Sequence, residues 1–341
     1  MSPKLFSQSS APWLARLTIV LAFVSRTLQA DSDPVETPTP IPTSVSDVTD
    51  VFNVMSGTEK GGCDAYDVNE WFHNAWFFAS EANDALMDAR NAKARGVTDA
   101  DSQDEVIAAF MNRIPGDDVP WIFCDSTSAV AAKWSDVALT AGTGAVDAEG
   151  RKIQEVYAVL YEENWLKRNR DIKQEKNKAE RAKLPRPFIP FWVDALKAYR
   201  YAETGDYCSK NYKRNMAGTD DNFQPTTITF CPKNWKSVHY KEIHEFPATL
   251  EEEGVSINEF TIEGLTFFHE MFHNALLNKH TPDTAYSIGE ITRAVELEDG
   301  EFISQEEAIA NPESWTLFAL AWYLGHRYPD YTFASTESKL K

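Results

Sequence analysis

The chain has 341 residues, 43% of them hydrophobic and 12% aromatic, enough to bury a sizeable core in one large domain or two small ones. Its 33 basic residues face 52 acidic ones, a formal charge of −19. So acidic a surface repels nucleic acid and anionic membranes, which excludes both as expected partners and leaves a soluble monomer.

Residues 1–30 have the layout of a secretory signal peptide. Lys4 and Arg16 supply positive charge, Leu17 to Val24 is an apolar stretch too short to span a bilayer, and Leu28-Gln29-Ala30 loosely fits the small-residue pattern before a cleavage point. Cleavage after Ala30 would remove Lys4, Arg16 and Arg26 and no acid, making the exported chain more acidic still. No later stretch is long and apolar enough to act as a membrane anchor, so a secreted, extracellular protein is expected. The four cysteines, Cys63, Cys124, Cys208 and Cys231, all follow the signal. An even count in an exported chain reads as two disulfides with three possible pairings. The pairing of sequence neighbours, Cys63 with Cys124 and Cys208 with Cys231, is favoured. No Asn-x-Ser/Thr acceptor is present, so N-glycosylation is not expected.

Residues 31–50, rich in Pro and Thr and without an aromatic, read as a disordered spacer. One domain is expected over 51–335. Within it, Tyr66 to Ala94 lacks Gly and Pro and repeats Trp71, Phe72, Ala75, Phe78, Ala79, Ala82, Leu86 and Ala89 at helical steps, which predicts a long amphipathic helix with His73 as a polar-face or packed histidine rather than a ligand. Residues 96–205 read as insertions. They hold a short helix at Glu105 to Asn112, a loop with Gly142 and Gly144, and a helical run from Arg151 to Lys183. That run packs through Ile153, Val156, Tyr157, Leu160 and Trp165; its charged second half reads as a solvated face. Leu184 to Pro190 breaks it, and Phe191 to Tyr201 predicts a further short helix. Thr226 to Phe230 is rich in β-branched residues and predicts a strand. His239 and His244, five apart, do not share a helix face and read as surface or packing residues.

Thr261 to Lys279 is apolar, free of Pro, and repeats Ile262, Leu265, Phe268, Phe272 and Leu276 at three- and four-residue steps, so it predicts a helix. Thr261, or a capping box over Ser256 to Glu259, would start it. Inside it lies His269-Glu270-Met271-Phe272-His273, the pattern H-E-x-x-H. Residues four apart stack on one face, so both imidazoles can meet one Zn²⁺. Glu270 stands about 100° round the helix, beside the metal, where it can take a proton from a water that the metal activates. A catalytic zinc needs a third protein ligand and an open position. His280, Asp283, Glu290 and Glu296 are the candidates downstream.

At this point the chain resembles the aspzincins, the fungal deuterolysin and lysine-specific metalloendopeptidase family, in which H-E-x-x-H is followed by G-T-x-D-x-x-Y-G. Here the second element reads His280-Thr281-Pro282-Asp283-Thr284-Ala285-Tyr286-Ser287. The resemblance implies that Asp283 is the third ligand and that Tyr286 supports the oxyanion. Asn311 to Phe318 resembles the family's N-A-D-x-x-E-x-F segment, whose acids receive a substrate lysine. Glu313 keeps the first acid, as a substrate-binding residue, while Thr316 replaces the second, so strict lysine specificity is not implied. Ile228 to Cys231 resembles a family strand ending in a disulfide cysteine, and Gly62-Cys63 the start of its catalytic domain.

The implied fold is α+β and predominantly helical: a zincin-like catalytic domain with the H-E-x-x-H helix and a small β-sheet. The implied function is a zinc-dependent endopeptidase acting on a protein or peptide substrate, with one Zn²⁺ per chain. The competing expectation is a non-catalytic secreted zinc-binding protein, a scavenger or effector.

Overall fold

A computed structural model describes residues 47–94, 119–203, 207–209, 215–222, 224–235, 240–251, 253–297, 299–333 and 339–340, with side chains through Leu86 in the first segment. The expected signal peptide, all but the end of the Pro/Thr spacer, the Glu105 to Asn112 helix and His239 lie outside the described residues. The chain divides into two compact units. One gathers Asn69–Ile114 and Tyr240–Lys341; the other gathers Val48–Val68 and Pro115–His239. The architecture mixes helices with small sheets, as an α+β chain would.

Three helices build the core of the first unit: α1, Val68–Ala94; α2, Glu263–Leu276; and α3, Pro312–Arg327. The apolar stripe of α1 is buried at Phe72, Ala75, Phe78, Ala79, Ala82 and Leu86, while His73 is exposed. Phe72 meets Phe267 of α2 edge-on at 5.7 Å, and Phe77 and Phe78 meet Tyr323 of α3 edge-on at 5.3 and 5.8 Å. Phe272 of α2 stacks on Trp315 of α3 at 6.0 Å.

Ten of the fourteen residues of α2 are buried, and the other four, Glu263, Thr266, Asn274 and Leu276, are partly so. A helix so placed tolerates polar side chains only if they are paired, and His269, Glu270 and His273 are among the buried ones. Neither expected cap starts α2. Ile262 occupies the cap position, and Ser256 instead caps the preceding turn, Ile257–Phe260, by accepting from the Asn258 amide at 3.3 Å. The helix ends where Leu277 turns left-handed, at φ 69°, donating its N–H to the His273 carbonyl at 2.9 Å.

In the second unit, β1 (Asn53–Val54), β2 (Trp121–Phe123), β6 (Ala217–Asp220) and β7 (Thr227–Phe230) form a sheet in the order β1-β2-β7-β6, parallel except for β6. The expected Thr226 to Phe230 strand is β7. Strands β3 (Ala129–Ala131), β4 (Ile189–Val193) and β5 (Ala198–Ala202) form an antiparallel sheet. The short helix expected over Phe191 to Tyr201 is in fact the β4–β5 hairpin, turned at Lys197 with φ 46°. Its aromatic and β-branched side chains, Phe191, Trp192, Val193, Tyr199 and Tyr201, pack better on a pleated surface. The Arg151 to Lys183 run is helical but broken into short pieces, with a π turn at Glu162–Lys167. Ile153, Tyr157, Leu160 and Trp165 pack against Trp134, Tyr199 and Tyr201 as expected, whereas Val156 is exposed. Both disulfides are the pairs of sequence neighbours, Cys63–Cys124 and Cys208–Cys231.

Gly264 lets α2 approach α1. A Cβ on it would stand 2.4 Å from the Asn74 Cβ and 3.1 Å from the Ala75 nitrogen. Alanine is worth about 1 kcal/mol to an open helix, but overpacking here costs about 1–3 kcal/mol. Gly264→Ala is therefore expected to lower the thermal unfolding midpoint; a raised midpoint would show that the helices do not meet there.

Candidate metal centre

His269 and His273 lie one turn apart on α2 and bring their Nε2 atoms to 3.2 Å. The chain then reverses through Leu277 and returns Asp283 to the same place. Its Oδ1 stands 3.0 Å from His269 Nε2 and 3.1 Å from His273 Nε2. These three atoms make a nearly equilateral triangle. Three donors about 2.0–2.1 Å from one tetrahedral ion stand about 3.3–3.4 Å apart. The triangle needs to open by only a few tenths of an ångström, so the group can hold a metal ion.

The outer ring nitrogens decide which way the lone pairs point. His273 Nδ1 lies 3.0 Å from Thr281 Oγ1, and that hydroxyl donates its own hydrogen to the Leu277 carbonyl at 3.0 Å. Thr281 can then only accept from His273, so Nδ1 carries the hydrogen and Nε2 is bare. His269 Nδ1 lies 3.1 Å from Glu313 Oε2, which can only accept when ionised, and His269 takes the same tautomer. Two bare nitrogens and a carboxylate oxygen thus face one another in a largely buried place, where a cation must sit between them.

Without metal, a proton takes that position. Burial opposes charge on His269, but its hydrogen bonds to Asp283 and Glu313 and the nearby Glu270 carboxylate outweigh burial and push its pKa up to about 10. The same contacts hold the Asp283 carboxyl well below the usual carboxylate range, although burial alone would raise it.

The other expected residues are placed as follows. Glu270 is buried in α2 and close enough for its charge to act on His269. Tyr286 is 63% exposed, and its ring lies parallel to that of His269 with centroids 6.4 Å apart. Glu313, expected as a substrate-binding residue, has its Oε2 3.1 Å from the outer nitrogen of His269. Thr316, in the place of the family's second acid, is buried and donates to the Pro312 carbonyl at 3.0 Å. Of the alternative ligands, His280 and Glu296 are exposed. Glu290 caps the Ile288–Ile291 turn, accepting from the Tyr286 and Ser287 amides at 3.1 and 3.0 Å. Sequence reasoning gave Thr281 no role; the only signal was its place in the Thr281-x-Asp283 pair.

Thr281→Val removes the acceptor for His273 at constant shape and is expected to weaken metal binding about 10–100-fold, as loss of such partners does; competition with a chromogenic chelator measures it. The metal-free protein should also show an inverted pH dependence. The folded pKa of His269 lies above the ordinary 6.5, so its pairing stabilises the fold fully below that value and is lost as pH rises towards about 10. Its unfolding midpoint should fall across that window, and less so in Asp283→Asn; a rise across it would refute the pairing.

No protein-family model matches this chain, and neither the curated proteins nor the solved structures contain a match to it.

Proposed function

We propose that this chain is a zinc-dependent endopeptidase of zincin-like design, exported and acting on protein or peptide substrates. The observation that carries the reading is the convergence of His269, His273 and Asp283 with Glu270 buried one residue from the first ligand. Holding a metal needs the first three alone. A carboxylate beside them supplies the proton acceptor that an attacking water needs.

Two imidazoles and one carboxylate suit zinc, a borderline ion that takes nitrogen and oxygen donors tetrahedrally. Bound there, zinc supplies Lewis acidity, lowering the pKa of a coordinated water towards about 7 and polarising a peptide carbonyl. The protein supplies the proton chemistry. Glu270 accepts the proton of the attacking water and returns it to the leaving amine. Tyr286, exposed with its ring parallel to that of His269, would donate its phenol hydrogen to the oxyanion that forms on the scissile carbonyl. His269 and His273 are kept in the ligating tautomer by Glu313 and Thr281. The two disulfides fit an oxidising compartment. The described residues contain no helix long and apolar enough to cross a membrane.

Glu270→Gln is expected to retain one equivalent of zinc and to lose cleavage of unfolded casein by about 10²–10⁴-fold. Unchanged cleavage would remove Glu270 from the mechanism. A zinc-loaded wild-type protein with no chelator-sensitive cleavage would instead favour a non-catalytic zinc-binding protein.

A further inference from the structure

Asn311 is fully buried at the residue preceding α3. An asparagine in that position ordinarily turns its side-chain oxygen back onto the first amides of its own helix. Here it makes no such bond. Its Oδ1 instead accepts from the amides of Thr284 and Ala285 at 3.1 and 3.3 Å, and its Nδ2 donates to the Ala285 carbonyl at 2.9 Å and to Ser314 Oγ at 3.1 Å. Three of these four bonds go to the two residues that follow Asp283. The helix has given up its side-chain cap to hold a loop.

Two residues further on, Glu313 holds the outer nitrogen of His269 at 3.1 Å. One helix start therefore reaches two of the three candidate ligands from behind, His269 through Glu313 and Asp283 through its loop. His273 is held separately, by Thr281. The loop needs such a hold: Asp283 is 34% exposed and follows the exposed Pro282, so burial of its own side chain does little to fix it.

We propose that Asn311 is a positioning residue of the metal centre. It ties the Asp283 loop to the helix start that carries Glu313, so that the carboxylate and His269 keep one spacing with or without the ion. Metal affinity then depends on a side chain that never touches the metal. The proposal rests on the metal-binding part of the proposed function and not on peptidase activity.

The test reads metal and backbone rather than cleavage. In the metal-free wild type, the amides of Thr284 and Ala285 should exchange hydrogen slowly, as bonded amides do. Asn311→Ala should weaken zinc binding about 10–100-fold and shift the visible spectrum of the cobalt-substituted protein towards that of Asp283→Ala. Asn311→Asp keeps the oxygen that both amides need but sets its second oxygen against the Ala285 carbonyl, so it should recover only part of the affinity, while Ser314→Ala should leave affinity unchanged. A folded Asn311→Ala protein with wild-type affinity and cobalt spectrum would overturn the proposal. Should that variant fail to fold, rapid exchange of both amides in the metal-free wild type would overturn it equally. Weakened binding in a protein that cleaves nothing would sink the peptidase reading and leave this one standing.

Discussion

Three electron-rich atoms pushed to within 3.2 Å of one another are the constraint on which the rest of this unit depends. Left alone, the two imidazole nitrogens and the carboxylate oxygen would repel. Their approach is tolerable only with positive charge among them, whether a proton or a metal ion. The surroundings are arranged to keep that demand in place. Thr281 and Glu313 spend the outer ring hydrogens, which prevents either histidine from turning its Nδ1 inward. The packing of α2 against α1 and α3 does the rest, because a helix enclosed by aromatic side chains cannot rotate its histidines away.

Much of this was legible in the order of residues, because the relevant spacings are short. The α1 and α2 stripes repeat within a few turns. The two histidines stand four apart, and Asp283 follows within ten residues. Where distance along the chain grows, legibility fails. Glu313 lies 44 residues from His269, and nothing in its local sequence says that its carboxylate will face an imidazole. Leu277 gives no warning that it will take a left-handed backbone; a glycine there would have announced the reversal. The Phe191 to Tyr201 stretch reads as a helix because it is too short, and too uniformly apolar, to separate a helical period from an alternating one; only its aromatic and β-branched character favours strands.

The resemblance to aspzincins and the geometry meet at the ligands and part at the acids. Where the family's pattern has two carboxylates for a substrate lysine, this chain has Glu313 turned to His269 and Thr316 bonded into its own helix. Both side chains thus have partners within the fold.

All four cysteines belong to the unit built from Val48–Val68 and Pro115–His239, and all are disulfide-bonded. The unit that carries the candidate ligands contains no cysteine at all. Sulfur chemistry and ion chemistry are thus segregated within one polypeptide. A thiol reductant would act on covalent links in one unit, and a chelator on any ion held in the other. Within the unit that carries the imidazoles no thiolate would compete for a soft metal, and no thiol there is open to oxidation.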